Sequence, residues 1–210
     1  MIWAFFIYFY GSYSLKYSKH YHNPIVYLCI DNSNKIENMS SKDNNLSNYK
    51  IEAIESADNL KVGIVVSEWN EDITATLLQG AIDTLKKHNV KDKNIHTVTV
   101  PGSYELPMGA KLLLTKYSLD TVICLGCVIK GETDHDKYIN TAVASGIMNL
   151  GLMSNKPIIF GVLTPNDQQQ AKDRAGGKFG NKGVEAATTA LRMTQLKDVV
   201  KNEGNGAIGF

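Results

Sequence analysis

Short β-branched segments alternate with segments of helical hydrophobic spacing from residue 60 onwards, and this alternation constrains the fold more than any other feature of the sequence. The segments with the length and composition of buried strands are residues 61–67, 95–100, 120–129 and 157–163. Because a helical segment separates each from the next, the sequence predicts a four-stranded parallel sheet with right-handed crossovers and helices on both faces. The expected fold class is therefore α/β.

The intervening segments repeat apolar residues at helical spacing. Helices are expected at residues 70–89, 105–117, 133–153, 167–174 and 184–200. Asn70 has the side chain of an N-cap residue for the first helix, and Pro107 fits only in the first turn of the second. In sheets of this kind ligands bind outside the carboxyl ends of the strands, so the residues just past each strand are the candidates for function.

The first 58 residues differ in character from the remainder. Residues 1–10 form an apolar, aromatic run shorter than the roughly 20 residues that span a bilayer, and a polar stretch rich in Asn, Ser and Lys follows. Met39 opens a segment typical of a cytosolic amino terminus. We expect an N-terminal extension over residues 1–58 that is largely disordered or a spurious upstream part of the reading frame, one domain over residues 59–203, and a flexible tail over residues 204–210. Organellar or secretory targeting by the residues before Met39 is the alternative.

The charge balance and the cysteine content narrow the class of function. The chain has 22 basic and 21 acidic residues, for a formal net charge of +1, so no strong field attracts nucleic acid or an anionic membrane. Three cysteines, an odd number, argue against a disulfide framework and favour a reducing compartment. We therefore expect a cytoplasmic protein with small-molecule partners and with neither nucleic acid nor a membrane as a partner.

Two short motifs lie in places where they are not expected to have their usual functions. Residues 204–209 match the dinucleotide-binding pattern G-x-G-x-x-G, but only one residue follows, where the motif requires a helix that binds the pyrophosphate. Cys124 and Cys127 form a C-x-x-C pair inside a predicted strand, where residues three apart point to opposite faces. They are better explained as buried apolar side chains than as a redox pair or metal site.

Unusual residues follow the four predicted strands. Trp69 follows the first, a Pro-Gly turn at residues 101–107 the second, and a Lys-Gly turn leading to His135 the third, while Arg174 follows the short helix after the fourth strand. Each alone has a structural explanation as packing, turn or solvated charge. Together they favour a functional site. A glycine turn that opens a helix suits a phosphate, and Arg174 adds a cation for the same anion. His135 can transfer protons near neutral pH, and Trp69 can stack on a flat ring. The spacing predicts a site for a phosphate-bearing substrate and an aromatic ring.

At these same places the sequence resembles the lumazine synthase family, over about residues 60–200. The matching segments are EWN at 68–70, VPGSYELP at 100–107, KGETDH at 130–135, PIIFGVLT at 157–164, RAG at 174–176 and GNKG at 180–183. The resemblance implies a flavodoxin-like three-layer α/β/α sandwich whose sites lie between the subunits of a homopentamer, with a 60-subunit shell as a further possibility. It implies a transferase of riboflavin biosynthesis, which condenses 5-amino-6-(D-ribitylamino)uracil with 3,4-dihydroxy-2-butanone 4-phosphate to form 6,7-dimethyl-8-ribityllumazine in the penultimate step. Neither a cofactor nor a metal is implied.

The resemblance also implies a role for individual residues. His135 is the expected catalytic residue, which transfers protons during imine formation and phosphate elimination. The remaining expected contacts are Trp69 stacked on the pyrimidine; Ser103, Tyr104 and Glu105 on the ribityl and pyrimidine side; Cys127, Val128 and Ile129 through their backbones; Glu132 and Thr133 through N–H groups to the phosphate; Arg174 as the phosphate's cation; Phe160 closing a neighbouring subunit's pocket; and Lys182 near the ring.

Three features depart from the resembled pattern. Asp136 stands after the catalytic histidine where the family usually has an aromatic residue, Lys130 replaces the commoner Arg, and the N-terminal segment has no counterpart. Two other functions stay open at this point. One is a non-catalytic relative that binds a flavin or only builds a shell, although such a protein needs neither His135 nor Arg174. The other is a flavodoxin-type electron carrier, which needs a Ser/Thr-rich phosphate loop where this chain has Trp69 and acidic residues.

Overall fold

The computed structural model describes residues 57–204, with side chains through residue 201, and places a four-stranded parallel sheet at its centre. The strands are β1 (Val62–Ser67), β2 (Ile95–Val100), β3 (Thr121–Cys127) and β4 (Ile158–Leu163). They are ordered β2-β1-β3-β4, and every residue of β1 and β3 is buried, as expected of central strands covered on both faces. The predicted fold class is confirmed. The expectations for the N-terminal extension and the C-terminal tail fall largely on residues 1–56 and 205–210, which lie outside the described part.

Helices connect the strands and cover the sheet. They are α1 (Glu71–Lys87), α2 (Leu106–Lys116), α3 (His135–Ser154), α4 (Gln168–Asp173) and α5 (Lys182–Gly204). Two 3-10 helices, at Asp92–Asn94 and Ser103–Glu105, and a small hairpin of β5 (Ala175–Gly177) and β6 (Gly180–Asn181) complete the described chain. Each helix lies where the sequence pattern predicts it, and the boundaries differ by a few residues because helix ends depend on local hydrogen bonds. In this part of the chain, no helix is both long and apolar enough to cross a membrane.

Two separate cores hold the layers together. Helices α1 and α5 pack on one face of the sheet, where Leu77 and Leu191 meet Ile123. Helices α2 and α3 pack on the other face, where Leu106 and Val143 belong to the second core. The result is a three-layer α/β/α sandwich. Burying a large aliphatic side chain of this kind contributes about 1.5–3 kcal/mol, so the two cores carry much of the stability.

The two cysteines of the C-x-x-C pair lie in opposite cores, as the strand pattern predicts. Cys124 packs with the α2 and α3 side, and Cys127 packs with the α1 and α5 side. Both thiols are free. They are therefore apolar packing elements of two different layers.

Helices α1 and α5 approach closely because of one glycine. A Cβ atom at Gly183 would lie only 1.8 Å from the carbonyl oxygen of Leu77, a contact that no side chain tolerates. Asn181 supports the same crossing, since its Nδ2 donates a 3.0 Å hydrogen bond to the Thr76 carbonyl and its Oδ1 accepts one of 2.7 Å from the Gly183 N–H. The GNKG segment thus fixes where α5 begins.

Candidate active site

A cleft of about 560 Å³ opens at the carboxyl ends of β1, β2 and β3. Parallel strands with level ends bring the segments that follow them to one edge, and Ser67 of β1 pairs with Val100 of β2 at that edge. The predicted site residues that line the cleft are Trp69, Ser103, Tyr104, Glu105, Cys127, Val128, Ile129, Thr133 and His135. The sheet therefore brings together residues from three separate segments of the sequence.

The backbone of Trp69 is hydrogen-bonded, whereas its side chain is exposed to solvent. The β1–β2 ladder continues past the strands, with the Glu68 N–H donating to the Val100 carbonyl at 2.8 Å and the Trp69 N–H donating to the Pro101 carbonyl at 3.1 Å. The Trp69 side chain is nevertheless 73% exposed. An exposed indole on a hydrogen-bonded backbone is an available surface for stacking with a flat ring.

Asn70 lies at the N-cap position of α1, but its side chain does not cap the helix. Its backbone is left-handed, with φ of 62°, and its Nδ2 donates a 3.0 Å hydrogen bond to the Cys127 carbonyl oxygen. The predicted N-cap position of Asn70 is therefore confirmed, but its side chain does not cap the helix, because it bonds across the edge of the sheet to β3. Thr74 supports the same turn through a 2.8 Å hydrogen bond from its Oγ1 to the Ser67 carbonyl.

The segment after β2 folds into a 3-10 helix that buries one of its side chains. Glu105 closes the turn by accepting a 3.1 Å hydrogen bond at Oε2 from the Gly102 N–H. Ser103 is only 6% exposed, whereas the ring of Tyr104 is exposed at the cleft. Space for Ser103 comes from Gly126 of β3, where a Cβ atom would lie 2.5 Å from the Ser103 Oγ. The sequence analysis did not identify Gly126.

The end of β3 contributes backbone rather than reactive side chains. Burial, with a smaller effect from Asp72, raises the pKa of Cys127 to about 12, so its thiol stays protonated near neutral pH and is unsuited to nucleophilic attack. The Val128 N–H donates to the Leu163 carbonyl at 2.8 Å, and the Lys130 N–H donates to the Pro165 carbonyl at 3.0 Å. These bonds extend the β3–β4 pairing and hold the segment that leads to α3.

His135 is the first residue of α3 and is exposed at the cleft. The N–H groups in the first turn of a helix lack intrahelical acceptors, and together with the helix dipole they favour an anion. Thr133 lines the cleft beside this turn, whereas Glu132 is exposed there without lining the cleft. Asp134 forms a 2.7 Å ion pair with Lys137 on the solvent side. The start of α3 therefore brings an exposed histidine and helix N-terminal N–H groups to the same end of the cleft.

The other predicted site residues lie apart from this cleft within the chain. Phe160 of β4 and Lys182 of α5 line a second groove of about 1140 Å³, which runs between α3, β4 and α5. Arg174 lies close to Lys182 through a shared partner, Glu185, a residue that the sequence analysis missed. The signal was available, since Lys182 and Glu185 have the i, i+3 spacing of neighbours on a helix.

Glu185 binds both predicted cations. It is 5% exposed, with its Oε2 at 2.9 Å from the Lys182 Nζ and its Oε1 at 3.5 Å from an Arg174 guanidinium nitrogen. A carboxylate removed from water requires such partners. The cluster holds the two cations at the edge of the second groove.

The fold and the cleft define a class of protein, an α/β enzyme acting on small molecules. An exposed aromatic ring, a carboxylate, a histidine and a helix N-terminus converge at the carboxyl edge of a parallel sheet. Among the residues that the structure describes, no group of three or more His, Cys, Asp or Glu side chains is placed to bind a metal ion.

Comparison with known proteins gives the family. The model of the 6,7-dimethyl-8-ribityllumazine synthase family matches residues 59–198. Proteins with that name from Cytophaga hutchinsonii and Phocaeicola vulgatus are similar to this chain. The first is 54% identical over 155 residues, which cover 74% of this chain and 97% of the relative. The second is 48% identical over 160 residues, which cover 76% of this chain and 95% of the relative.

The chain belongs to the 6,7-dimethyl-8-ribityllumazine synthase family. The resemblance stated from the sequence is thereby confirmed, including an enzyme of the transferase type and a role in riboflavin biosynthesis. The match decides against a flavodoxin-type electron carrier, which shares only the layered α/β architecture.

Proposed function

We propose that this protein condenses 5-amino-6-(D-ribitylamino)uracil with 3,4-dihydroxy-2-butanone 4-phosphate and releases 6,7-dimethyl-8-ribityllumazine, inorganic phosphate and water. The observation that carries the proposal is the convergence of Trp69, Glu105 and His135 on one cleft, from the ends of three strands. The amine and the ketone react without a cofactor, so holding both in reactive geometry provides much of the acceleration.

The pyrimidine binds on the Trp69 side of the cleft. The exposed indole stacks on the ring, and the segment Ser103–Glu105 lines the ring and the ribityl chain. The backbones of Cys127, Val128 and Ile129 supply the remaining polar contacts. The Cys127 carbonyl already accepts a hydrogen bond from Asn70, and its second lone pair remains for the ligand.

The phosphate binds where α3 begins. The N–H groups of Glu132 and Thr133 approach it from the turn before the helix, and the dipole of α3 favours its charge. His135 stands next to this site and moves the protons of the reaction. It gives a proton to the hydroxyl that leaves as water when the imine forms, and it accepts the carbon-bound proton whose removal accompanies the loss of phosphate.

A second copy of the chain completes each site. Phe160, Arg174 and Lys182 lie away from the cleft of their own chain and next to the second groove, which also exposes Met148 and Leu152. Large exposed apolar side chains that surround a groove are typical of subunit interfaces. We assign this face to contact with the cleft of a neighbour in a homopentamer, in which Phe160 closes the neighbour's pocket, Arg174 neutralises its phosphate and Lys182 lies near its ring. A 60-subunit shell built from the same pentamer is the alternative assembly.

The assay mixes the full chain with both substrates and follows the fluorescence of the lumazine product. We expect product with the parent protein and a rate lower by about 100-fold or more with His135→Ala, the scale at which general acid–base groups contribute. Product formed equally fast by both proteins would remove His135 from the mechanism. A folded parent that forms no product, but binds a flavin or assembles a shell, would instead establish a non-catalytic relative.

We also propose that the protein is cytoplasmic. The two described cysteines are free, which suits a reducing compartment. Fractionation of the source cells, with detection of the untagged protein, tests the location. Recovery from an organelle or from the secreted fraction would favour targeting by the residues before Met39.

A further inference from the structure

One buried carboxylate outside the cleft has no role in the reaction as described so far. Glu185 lies in the first turn of α5 and is 5% exposed, whereas the side chains of the two cations it binds, Arg174 and Lys182, are 29% and 27% exposed. An acidic residue in the first turn favours the helix dipole, but that effect needs neither burial nor a cation from outside the helix. Buried ion pairs are also weak sources of stability, since apolar side chains of similar size often replace them without loss. A contribution to stability therefore does not explain the cluster.

The carboxylate joins two elements of the chain. Arg174 follows α4, and Lys182 begins α5 after the β5–β6 hairpin. The backbones of these two residues are adjacent, since the Lys182 N–H donates a 2.9 Å hydrogen bond to the Arg174 carbonyl oxygen. Their long side chains carry like charges, and without a shared partner they would repel each other and turn into water. Because Glu185 is buried and binds both, it limits where the two cations point.

The cluster retains capacity to bind an anion. Two cations and one carboxylate leave one net positive charge. A guanidinium group has five N–H donors and an ammonium group has three, so one contact each with Glu185 occupies only part of them. Since both cations reach solvent and the carboxylate does not, the cluster presents positive charge at its surface.

We propose that Glu185 is a positioning residue for the phosphate-bearing substrate, and that it holds Arg174, with Lys182 beside it, in the orientation that binds the phosphate in the cleft of a neighbouring copy. This inference rests on the proposed function, in which Arg174 neutralises that phosphate. Glu185 itself does not touch the substrate. It acts by ordering two long side chains before the ligand binds, which removes an entropic cost from binding.

Glu185→Gln tests the proposal, because it keeps the size of the side chain and removes its charge. We expect the KM for 3,4-dihydroxy-2-butanone 4-phosphate to rise by about 10-fold, the scale of ordering two such side chains, and the KM for the pyrimidine to change by less than about threefold. The variant should keep the parent's fold and oligomeric state.

The sign of the change separates positioning from simple neutralisation. Removing the carboxylate raises the net charge of the cluster by one, so if Glu185 only neutralised the cations, Glu185→Gln would bind the phosphate more tightly. A lower or unchanged KM for the phosphate-bearing substrate in a folded variant therefore overturns the proposal. An equal rise in KM for both substrates also overturns it, because a general structural defect would produce that result.

Asp92→Asn is the matched control. It removes the same charge from a carboxylate that pairs with a lysine, Lys86, at 2.8 Å, and it lies before β2, at the opposite edge of the sheet from the cleft. Both KM values should stay as in the parent. A selective rise as large as that of Glu185→Gln would show that position is irrelevant and would overturn the proposal.

A second variant and a second measurement complete the test. Glu185→Asp keeps the charge on a shorter side chain that cannot hold both cations as Glu185 does, so if Glu185→Gln does not fold, the same selective rise in KM is required of this variant. Calorimetric titration with inorganic phosphate needs no turnover. If the parent forms no product, the proposed function fails, whereas weaker phosphate binding by the Glu185 variant than by the parent still supports this inference. Equal or tighter binding, or a parent that binds no phosphate, overturns it.

Discussion

The Asn70 side-chain amide donates a 3.0 Å hydrogen bond to the Cys127 carbonyl oxygen, and this contact joins the ends of β1 and β3 at the mouth of the cleft. The two residues are 57 positions apart in the sequence. Asn70 reaches Cys127 from a left-handed backbone conformation, with φ of 62°, which Asn tolerates better than most residues. Asn70 thus links the start of α1 to the end of β3.

Substitutions at Asn70 separate the hydrogen bond from the backbone conformation. Asn70→Gly keeps the left-handed turn and loses the hydrogen bond, so we expect a loss of about 0.5–1.5 kcal/mol in the free energy of unfolding. Asn70→Ala loses the bond and also strains the turn by about 1 kcal/mol more. Urea unfolding measures both, and equal losses in the two variants would show that the left-handed backbone contributes nothing.

The close packing of Gly126 against Ser103 predicts that substitutions at the two positions have non-additive effects on the free energy of unfolding. In Gly126→Ala the new methyl group would lie 2.5 Å from the Ser103 Oγ and 3.0 Å from a Leu106 methyl carbon. We expect a loss of about 1–3 kcal/mol, the usual cost of overpacking, together with a higher KM for the pyrimidine.

The double variant Gly126→Ala with Ser103→Ala supplies the control. Removing the Oγ relieves the closest contact, so Gly126→Ala should cost less in the Ser103→Ala background than in the parent. Chemical unfolding of all four proteins gives the coupling energy. Additive losses would place the strain elsewhere, most directly at Leu106.

Burial of Cys127 predicts an unreactive thiol. Because desolvation raises the pKa of both Cys124 and Cys127 to about 12, neither forms a thiolate near neutral pH. We expect iodoacetamide at pH 7.5 to leave both unmodified in the folded protein and to modify them in urea, as read by peptide mass spectrometry. Cys127→Ala should retain turnover within about threefold, since the position contributes backbone contacts. Rapid alkylation of folded Cys127 with loss of activity would contradict this account.

The burial of His88 predicts that the free energy of unfolding decreases in mild acid. It is 7% exposed, its Nε2 has no described partner, and burial, aided by Lys87, lowers its pKa from the ordinary value of 6.5. Below pH 6.5 the unfolded chain therefore takes up a proton that the folded chain resists. The free energy of unfolding should decrease as the pH falls from 7 through 6.5 towards the lower folded pKa, and it should be insensitive to this group above pH 7.

Two histidine variants test whether His88 causes this pH dependence of the free energy of unfolding. His88→Gln should flatten the decrease in the free energy of unfolding between pH 7 and pH 5, whereas His96→Gln, a matched loss of a histidine stacked on Tyr117, should leave most of it. Thermal unfolding at several pH values measures both. An unchanged slope in His88→Gln would assign the acid sensitivity to other groups.

The proposed sharing of sites between copies predicts complementation. His135→Ala and Arg174→Ala damage the cleft and the neighbouring face respectively, so each homo-oligomer should be inactive or nearly so. After the two are unfolded together and refolded as mixed rings, about a quarter of the interfaces combine an intact cleft with an intact face, because each subunit contributes one of each. Turnover should recover to about that fraction. No recovery in mixed rings of proven composition would place Arg174 and His135 in the same subunit's site.

Much of the fold could be read from local patterns. The alternation of β-branched and helical segments predicted the parallel sheet, because crossover helices are the short right-handed route between parallel strands. The positions of Trp69, Glu105 and His135 just past three strands predicted that they would meet, since parallel strands end at one edge. These inferences need only the hydrophobic periodicity of the sequence and the direction of the predicted strands.

Contacts between distant segments could not be read in the same way. The sequence pattern assigned Asn70 to helix capping, whereas the tertiary structure uses its side chain across the sheet. Glu185 and Gly126 were missed because their roles depend on what packs against them, respectively the two cations and Ser103.

The sequence by itself determined the α/β class, the family and the residues that meet at the carboxyl edge, because periodicity and motif order are properties of the chain. Only the tertiary structure decided that Arg174 and Lys182 lie outside the lining of their own chain's cleft and share Glu185 as a partner, and that Ser103 is buried against Gly126. The physical reason is that burial and hydrogen-bond partners depend on which distant segments come within a few ångströms, and no local pattern contains that information.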